Sequence, residues 1–205
     1  MEARIRSRFV PFVLGPALLI AAGVAGAVVS GAAAPGFTIT DTAGKAVQLA
    51  DYKGKYVVLE WTNPECPFVR KHYSSGNMQG LQKEWGSRNV VWLTINSTNA
   101  TQYEFMTPRE MSAWMEAQGA APAATLLDST SATGRAYGAK TTPHMFVVDP
   151  GGQVIYAGAI DDKRSANPAD AKSANNYVRA ALAEAMSGKP VTVANTTPYG
   201  CSVKY

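Results

Sequence analysis

The stretch that decides the fold is VVLEWTNPECPFVRKHY, which occupies residues 57–73. Residues 56–61 form an apolar run with the character of a β-strand. A short Asn-Pro-Glu loop follows, and the chain then enters a helix at Cys66-Pro67. Proline is favoured at the first helical position, where its missing N–H is not needed, so Cys66 is predicted to be the N-cap. This places a thiol between the end of a strand and the start of a helix.

The position of Cys66 favours a reactive or disulfide-forming thiol. The N–H groups of the first helical turn, here those of Phe68 and Val69, are free. Together with the positive end of the helix dipole, they stabilise a thiolate at the N-cap, and Arg70 and Lys71 act in the same direction. The alternative is a small buried residue without chemistry, as many free cysteines are.

At these residues the sequence resembles the thioredoxin-like superfamily, in particular its exported redoxin and AhpC/TSA-type branch, which includes the peroxiredoxins. The resemblance covers most of residues 35–188. It implies an α/β fold, with a central mixed β-sheet flanked by helices, an N-terminal hairpin extension and a C-terminal tail. Two features depart from the family patterns. Val69 stands where a Cys-x-x-Cys site has its second cysteine, and three residues instead of two separate Thr62 from Cys66.

A second segment, residues 141–144, resembles the cis-proline loop that thioredoxin-like folds place opposite the active-site cysteine. The resemblance implies a cis bond at Thr142-Pro143. The Thr142 backbone would then turn toward Cys66 and be free to pair with a bound peptide as an added strand. The alternative is an ordinary trans-proline at the start of a strand.

Length and composition suit one globular domain behind a targeting segment. The chain has 205 residues, of which 46% are hydrophobic and 17% charged. Residues 1–34 combine a basic start, an apolar run and a stretch of small residues, which predicts an export signal or, alternatively, a membrane anchor. We assign residues 35–188 to the thioredoxin-like domain and residues 189–205 to the tail. Three arginines and one glutamate fall in the leading segment, so the remainder is mildly basic and we expect no nucleic-acid partner.

The tail carries Cys201, the second of the two cysteines in the chain, beside Tyr199 and Tyr205. In an exported protein an even pair of cysteines is a candidate disulfide. The dozen residues that lead to Cys201 can span roughly 40 Å. We therefore hypothesise that the tail folds back and brings Cys201 to Cys66.

The primary hypothesis is an exported thiol-disulfide oxidoreductase or thiol-dependent peroxidase, periplasmic or secreted, with an antioxidant role. The predicted catalytic residues are Cys66 as nucleophile and Cys201 as resolving thiol, and the predicted substrate-orienting residues are Thr62, Arg70, Thr142 and Pro143. The expected partners are a thiol or disulfide protein, or a peroxide, and a thiol reductant that donates electrons. No cofactor and no metal are predicted.

Two alternatives remain open from the sequence. One is a binding module without catalytic activity, in which Cys66 and Cys201 form a permanent structural disulfide. The other is copper handling, in which His72 or His144 approaches Cys66, although each histidine is expected to have a surface or packing role.

Overall fold

The computed structural model describes residues 27–205, so most of the predicted export segment lies outside the described residues. The strands and helices of this range are β1 (Thr38–Thr40), β2 (Ala46–Gln48), β3 (Val57–Trp61), α1 (Pro67–Ser74), α2 (Asn77–Gly86), β4 (Val91–Asn96), α3 (Pro108–Ala117), β5 (Ala124–Leu127), α4 (Ala132–Tyr137), β6 (Thr141–Thr142), β7 (His144–Val148), β8 (Val154–Gly158), α5 (Tyr177–Met186) and β9 (Cys201–Ser202). Two short 3₁₀ turns, Leu49–Tyr52 and Pro168–Lys172, lie between them.

The centre of the fold is a five-stranded mixed sheet in the order β5-β4-β3-β7-β8. β3 pairs in parallel with β4 and antiparallel with β7. All residues of β3, β4 and β7 are buried, because both faces of the sheet are covered, and this explains their nearly continuous apolar sequences. The predicted α/β fold with a central mixed sheet is confirmed.

Two apolar clusters lie on the two faces of the sheet. Val58 belongs to the cluster that includes residues of α1, α2, α3 and α5. Its neighbours Leu59 and Trp61 belong to the other cluster, which includes residues of the β1-β2 hairpin and of α4. This division follows from the alternation of side chains along a strand.

The helix starts follow local capping rules. Thr107 caps α3 by accepting a hydrogen bond from the Glu110 N–H at 3.3 Å, and the Glu110 carboxylate accepts from the Thr107 N–H at 2.8 Å. Asn167 is followed by Pro168, a pair that favours the start of a helix. That position forms only a 3₁₀ turn, and regular helix begins at Tyr177, where the Asn176 side chain caps it. Within residues 27–205, no helix is both long enough and apolar enough to cross a membrane.

The C-terminal tail runs back over the domain. Its first part pairs with β8, since the Ala157 N–H donates to the Ala194 carbonyl at 3.0 Å. Its second part, β9, pairs antiparallel with β6 and aligns Cys201 with Thr142. Beyond β9, the Asn99 N–H donates to the Lys204 carbonyl at 2.8 Å. The tail therefore crosses the end of the sheet at which β3 leads into α1.

Candidate active site

The loop between β3 and α1 places Cys66 at the start of a helix. Asn63 shapes this loop, because its side-chain oxygen accepts from the Glu65 N–H at 2.8 Å and its carbonyl accepts from the Cys66 N–H at 3.0 Å. Cys66 is the N-cap of α1 and Pro67 is its first residue, as the sequence predicts. The Cys66 side chain is buried, with 2% of its surface exposed.

The predicted contact of the Cys66 thiol with the N–H groups of the first helical turn is not formed. The side chain makes no capping hydrogen bond to the first turn of α1. Instead, Cys66 Sγ donates to the Thr142 carbonyl at 2.9 Å and accepts from the Cys201 N–H at 3.4 Å. These two groups come from β6 and from the tail, which a rule for isolated helix ends does not include.

The cis-proline loop lies beside the thiol. The Thr142-Pro143 bond is cis, as the resemblance implied. The Thr142 backbone is not free for a bound peptide, however, because β9 already pairs with it. Gly200 lies so close that a Cβ built on it would be 2.0 Å from the Thr142 carbonyl oxygen. The tail thus occupies the position that was predicted for an added peptide strand.

The structure brings Cys201 and Cys66 together, and both are free thiols. Burial raises the pKa of Cys201 to about 12, and the hydrogen bond with Cys66 and the negative charge of Cys66 act in the same direction. Cys201 therefore stays protonated near neutral pH. The raised pKa makes Cys201 a poor first nucleophile near neutral pH.

A buried polar cluster lies next to the two cysteines. Lys71, on α1, and Asp161, after β8, approach to 3.4 Å and are almost fully buried. The Tyr199 hydroxyl, from the tail, donates to Asp161 and lies 3.3 Å from Lys71 Nζ and 3.2 Å from His72 Nε2. Burial, with a smaller effect from the Lys71 charge, lowers the pKa of His72 to about 3, so its imidazole is neutral.

Comparisons with known proteins agree with this architecture. The profile of the AhpC/TSA family matches residues 30–157, which is more than half of the chain. The chain belongs to the AhpC/TSA family. The predicted resemblance to the redoxin branch of the thioredoxin-like superfamily is confirmed.

Three relatives show how far the likeness of this AhpC/TSA protein extends. A thiol-disulfide oxidoreductase, ResA of Bacillus subtilis, is 26% identical over 132 residues, which is 61% of this chain and 64% of ResA. The chain thus spans slightly less than two thirds of that curated relative. An uncharacterised conserved protein of Geobacillus kaustophilus has a TM-score of 0.76 and 31% identity, over 86% of this chain and 92% of its own. The thioredoxin domain of a Bacteroides vulgatus thiol-disulfide oxidoreductase has a TM-score of 0.52 and 22% identity, over 64% and 89%, and supports the fold.

The predicted substrate-orienting residues of this AhpC/TSA protein have different surroundings. The hydroxyls of Thr62 and Thr142 are buried, and neither has a hydrogen-bond partner within residues 27–205. Arg70 instead contacts the loop that precedes Cys66. Its Nε donates to the Pro64 carbonyl at 2.7 Å, and its guanidinium pairs with the Glu65 carboxylate at 2.9 Å. Two unpartnered buried hydroxyls are unusual, because buried polar groups are normally paired. They are available to a substrate or to water.

Sequence reasoning missed the charged groups inside the AhpC/TSA domain. Lys71 was treated only as a helix charge, and the second such group, Glu60, was not singled out. The Glu60 carboxylate accepts from Tyr73 and Trp92 at 2.8 Å each, and from Gln82 and Thr94 at 3.3 Å each. Burial raises the pKa of Glu60, against the opposing effect of these hydrogen bonds. A glutamate within the apolar run of β3 was the available signal.

The two histidines do not extend the site into a metal centre. The His144 ring lies 4.5 Å from the ring of Phe146, and its Nδ1 accepts from the Lys140 N–H at 3.2 Å. Within residues 27–205, no three His, Cys, Asp or Glu side chains lie together as a set of metal ligands. An apolar cavity of about 230 Å³ opens beside Val57 and Val148, and neither cysteine lines it.

Proposed function

We propose that this AhpC/TSA protein is a thiol-disulfide oxidoreductase in which Cys66 is the nucleophile and Cys201 is the resolving thiol. The observation that supports this proposal is the contact between the two cysteines. The Cys201 N–H lies 3.4 Å from Cys66 Sγ, while β9 pairs with the backbone of Thr142. The thiol-disulfide oxidoreductase activity in the printed name of ResA is consistent with the proposal.

The reaction with a disulfide substrate has two exchange steps. The Cys66 thiolate attacks one sulfur of the substrate, which forms a mixed disulfide and releases the other substrate sulfur as a thiolate. The Cys201 thiolate then attacks Cys66 Sγ and releases the second substrate thiolate. The substrate disulfide gains two electrons, and the cysteine pair is oxidised to the Cys66–Cys201 disulfide. An external thiol reductant returns the pair to the dithiol form.

The environment of Cys201 suits it to act second. Burial is the main cause of the raised pKa of Cys201, and the hydrogen bond with Cys66 and the Cys66 charge add to it. Formation of the mixed disulfide removes the charge on Cys66, so one cause of the raised pKa disappears in the intermediate. The Cys201 thiol then becomes easier to deprotonate at the stage where a second thiolate is needed.

We assign the orientation of the substrate to Thr62, Thr142 and Pro143. The two threonine hydroxyls are buried and unpartnered in the described part of the chain, so each can bond to a bound group without losing an existing partner. A substrate strand would use the Thr142 backbone after the tail has moved away. For Arg70 we propose an indirect part, because its contacts hold the loop that precedes Cys66.

The same pair of cysteines can also reduce a peroxide. In that reaction the Cys66 thiolate takes one peroxide oxygen to become a sulfenic acid and releases an alcohol or water. Cys201 condenses with the sulfenic acid to give the same disulfide and one molecule of water. The two substrates are distinguished by the rate at which the reduced protein consumes hydrogen peroxide or a model peptide disulfide.

A redox titration tests the proposal. The protein is equilibrated at a series of glutathione potentials, and its free thiols are counted by mass after alkylation. A pair that reduces between about −120 and −270 mV lies in the range of catalytic dithiols. A pair that stays oxidised below about −300 mV is a structural disulfide, and the binding-module hypothesis would replace the proposal. Cys201→Ser should trap a mixed disulfide at Cys66, whereas Cys66→Ser should react with no substrate.

We further propose that the protein is exported and acts in a periplasmic or extracellular compartment. The basic and apolar pattern of residues 1–34 supports the proposal, because it is typical of an export signal. Fractionation of cells with intact-mass analysis of the product tests it. Recovery of the full-length chain in the cytoplasm would contradict export.

A further inference from the structure

The tail closes the Cys66 site. Cys66 is 2% exposed, and its sulfur contacts the Thr142 carbonyl and the Cys201 N–H. Gly200 lies directly against the Thr142-Pro143 peptide. A disulfide or peroxide from solution therefore reaches Cys66 Sγ only after this part of the tail has moved away. The contact that holds the tail in place therefore controls access to the Cys66 thiol.

Tyr199 is the most deeply buried tail residue next to Cys201, with 5% of its surface exposed. Its ring packs edge-on against Phe68, with 5.8 Å between the ring centroids. Its hydroxyl enters the cluster of Lys71, His72 and Asp161. We define the phenol pocket as Phe68, Lys71, His72 and Asp161. Burial, together with the Asp161 carboxylate, raises the pKa of Tyr199, so its hydroxyl stays protonated and can donate.

The phenol pocket keeps its internal bonds when the phenol leaves. Lys71 Nζ retains the Lys163 carbonyl at 2.6 Å and the Asp161 carboxylate at 3.4 Å. The other Asp161 oxygen retains the Lys163 N–H at 3.0 Å. Undocking of Tyr199 therefore leaves no charge without a partner.

The other contacts of the tail with this end of the domain are more exposed or uncharged. Lys204 Nζ lies 3.4 Å from the Glu104 carboxylate, but the lysine side chain is 33% exposed, and exposed ion pairs contribute little. β9 is only two residues long. The Tyr205 hydroxyl, farther along the tail, donates to the uncharged Ala139 carbonyl at 2.6 Å. Hydrogen bonds to charged groups contribute about twice as much as those between neutral groups. The strongest side-chain contact of the tail near Cys66 is thus the one between Tyr199 and the charged pair.

We propose that Tyr199 is a positioning residue that controls access to Cys66, and that release of its phenol from the Lys71–Asp161 pair is the step that opens the site. When the phenol is docked, Cys201 is held at Cys66 and the site is closed. When it is released, the tail leaves the Thr142 backbone and a substrate takes its place. The proposal rests on the proposed function for its biological meaning, but the opening itself can be measured without any activity.

Alkylation of Cys66 in the reduced full-length protein tests the proposal. Iodoacetamide reacts with Cys66 only in the open state, so the alkylation rate is proportional to the open population. The modified peptides are separated by mass, so that Cys66 and Cys201 are counted independently. Tyr199→Phe keeps the ring and removes the hydroxyl. Loss of a hydrogen bond to a charged group predicts an alkylation rate of Cys66 that is on the order of 10- to 100-fold higher.

Three further variants make the test specific. Tyr205→Phe removes a tail hydroxyl bonded to a neutral carbonyl and should raise the rate less than about threefold. Tyr137→Phe removes a hydroxyl that donates to the Pro35 carbonyl at 2.8 Å, a bond that involves no tail residue, and controls for general loss of stability. Phe68→Leu loosens the ring without touching the charged pair and should raise the rate roughly 2- to 10-fold, since an aromatic pair contributes modestly beyond its buried area.

An alkylation rate for Tyr199→Phe within twofold of wild type would overturn the proposal, and so would an equal increase in Tyr137→Phe. If Tyr199→Phe proves too unstable to study, the absence of any increase in Phe68→Leu would overturn it. Failure of the proposed function is a separate result. A Cys66–Cys201 pair with no redox activity would still show the effect of Tyr199 on alkylation.

Discussion

Replacement of Gly200 by alanine should make the Cys66–Cys201 disulfide easier to reduce. The new Cβ would lie 2.0 Å from the Thr142 carbonyl oxygen, 2.7 Å from its carbonyl carbon and 3.2 Å from Pro143 N. All three are backbone atoms, so the overlap cannot be relieved by turning a side chain. The backbone φ of +138° at Gly200 is also unfavourable for alanine. In the reduced protein the tail can undock, which relieves both the steric overlap and the unfavourable φ. In the oxidised protein the disulfide holds the tail in place, so neither is relieved.

The strain therefore falls mainly on the oxidised form. A residue in a disfavoured backbone region costs about 1–3 kcal/mol, and the overlap adds to this cost. The free energy that docking contributes in the reduced protein offsets part of it. Because 1.4 kcal/mol corresponds to about 30 mV for a two-electron couple, we expect the reduction potential to rise by roughly 20–60 mV. Equilibration with glutathione, followed by alkylation and mass analysis, measures this shift.

Gly188→Ala is the matched control. Gly188 has a positive φ of +72°, but a Cβ there would meet no atom within 4 Å. It lies just beyond α5, away from the two thiols, so its strain is equal in the oxidised and reduced forms. The control should lower the thermal midpoint and leave the potential unchanged. A Gly200→Ala protein whose potential lies within 10 mV of wild type would refute the reasoning.

The remaining predictions concern the buried charges. Lys71→Met leaves Asp161 buried without its ion pair and should lower the free energy of unfolding in urea by about 3–5 kcal/mol. Arg70, the adjacent residue, has an exposed ion pair, so Arg70→Met should lower the free energy of unfolding by less than about 1 kcal/mol. Equal losses in Lys71→Met and Arg70→Met would contradict the argument that burial makes the difference. Since the pKa of Glu60 is raised above its ordinary 4.5, its stability contribution is present below that pH and is lost as pH rises. Glu60→Gln should therefore remove a decline in stability above about pH 4.5, and an unchanged pH profile would count against it. The pKa of His144 is lowered from 6.5 to about 3, so its contribution is lost as pH falls below 6.5. In His144→Gln, the free energy of unfolding in urea should therefore fall less between pH 7 and pH 5 than it does in wild type. A pH profile parallel to that of wild type would contradict the prediction.

Local spacing allowed much of the fold and part of the site to be predicted. The Cys-Pro step after a strand predicted the start of α1, because an N-cap followed by proline depends only on neighbouring residues. The apolar run at residues 56–61 predicted β3 for the same reason. The cis bond at Thr142-Pro143 came from the resemblance, since a single sequence carries no direct signal for it.

The parts that were missed depend on distant residues. The direction of the Cys66 thiol is set by Thr142, 76 residues away, and by Cys201, 135 residues away. A lysine on a helix normally keeps its charge in water, and Lys71 is buried only because Asp161 and Tyr199 lie over it from segments 90 and 128 residues further along the chain. No pattern within one window of sequence contains that information.

The separation of Cys66 and Cys201 along the chain has a consequence for the newly made protein. At a synthesis rate of about 5–20 residues per second, the 135 residues between them take roughly 7–27 s to add. Cys66 and most of the strands around it are therefore made well before the segment that covers them. During this interval the thiol can meet small oxidants, glutathione or another nascent chain. Each molecule thus passes once through a stage in which no tail residue covers Cys66.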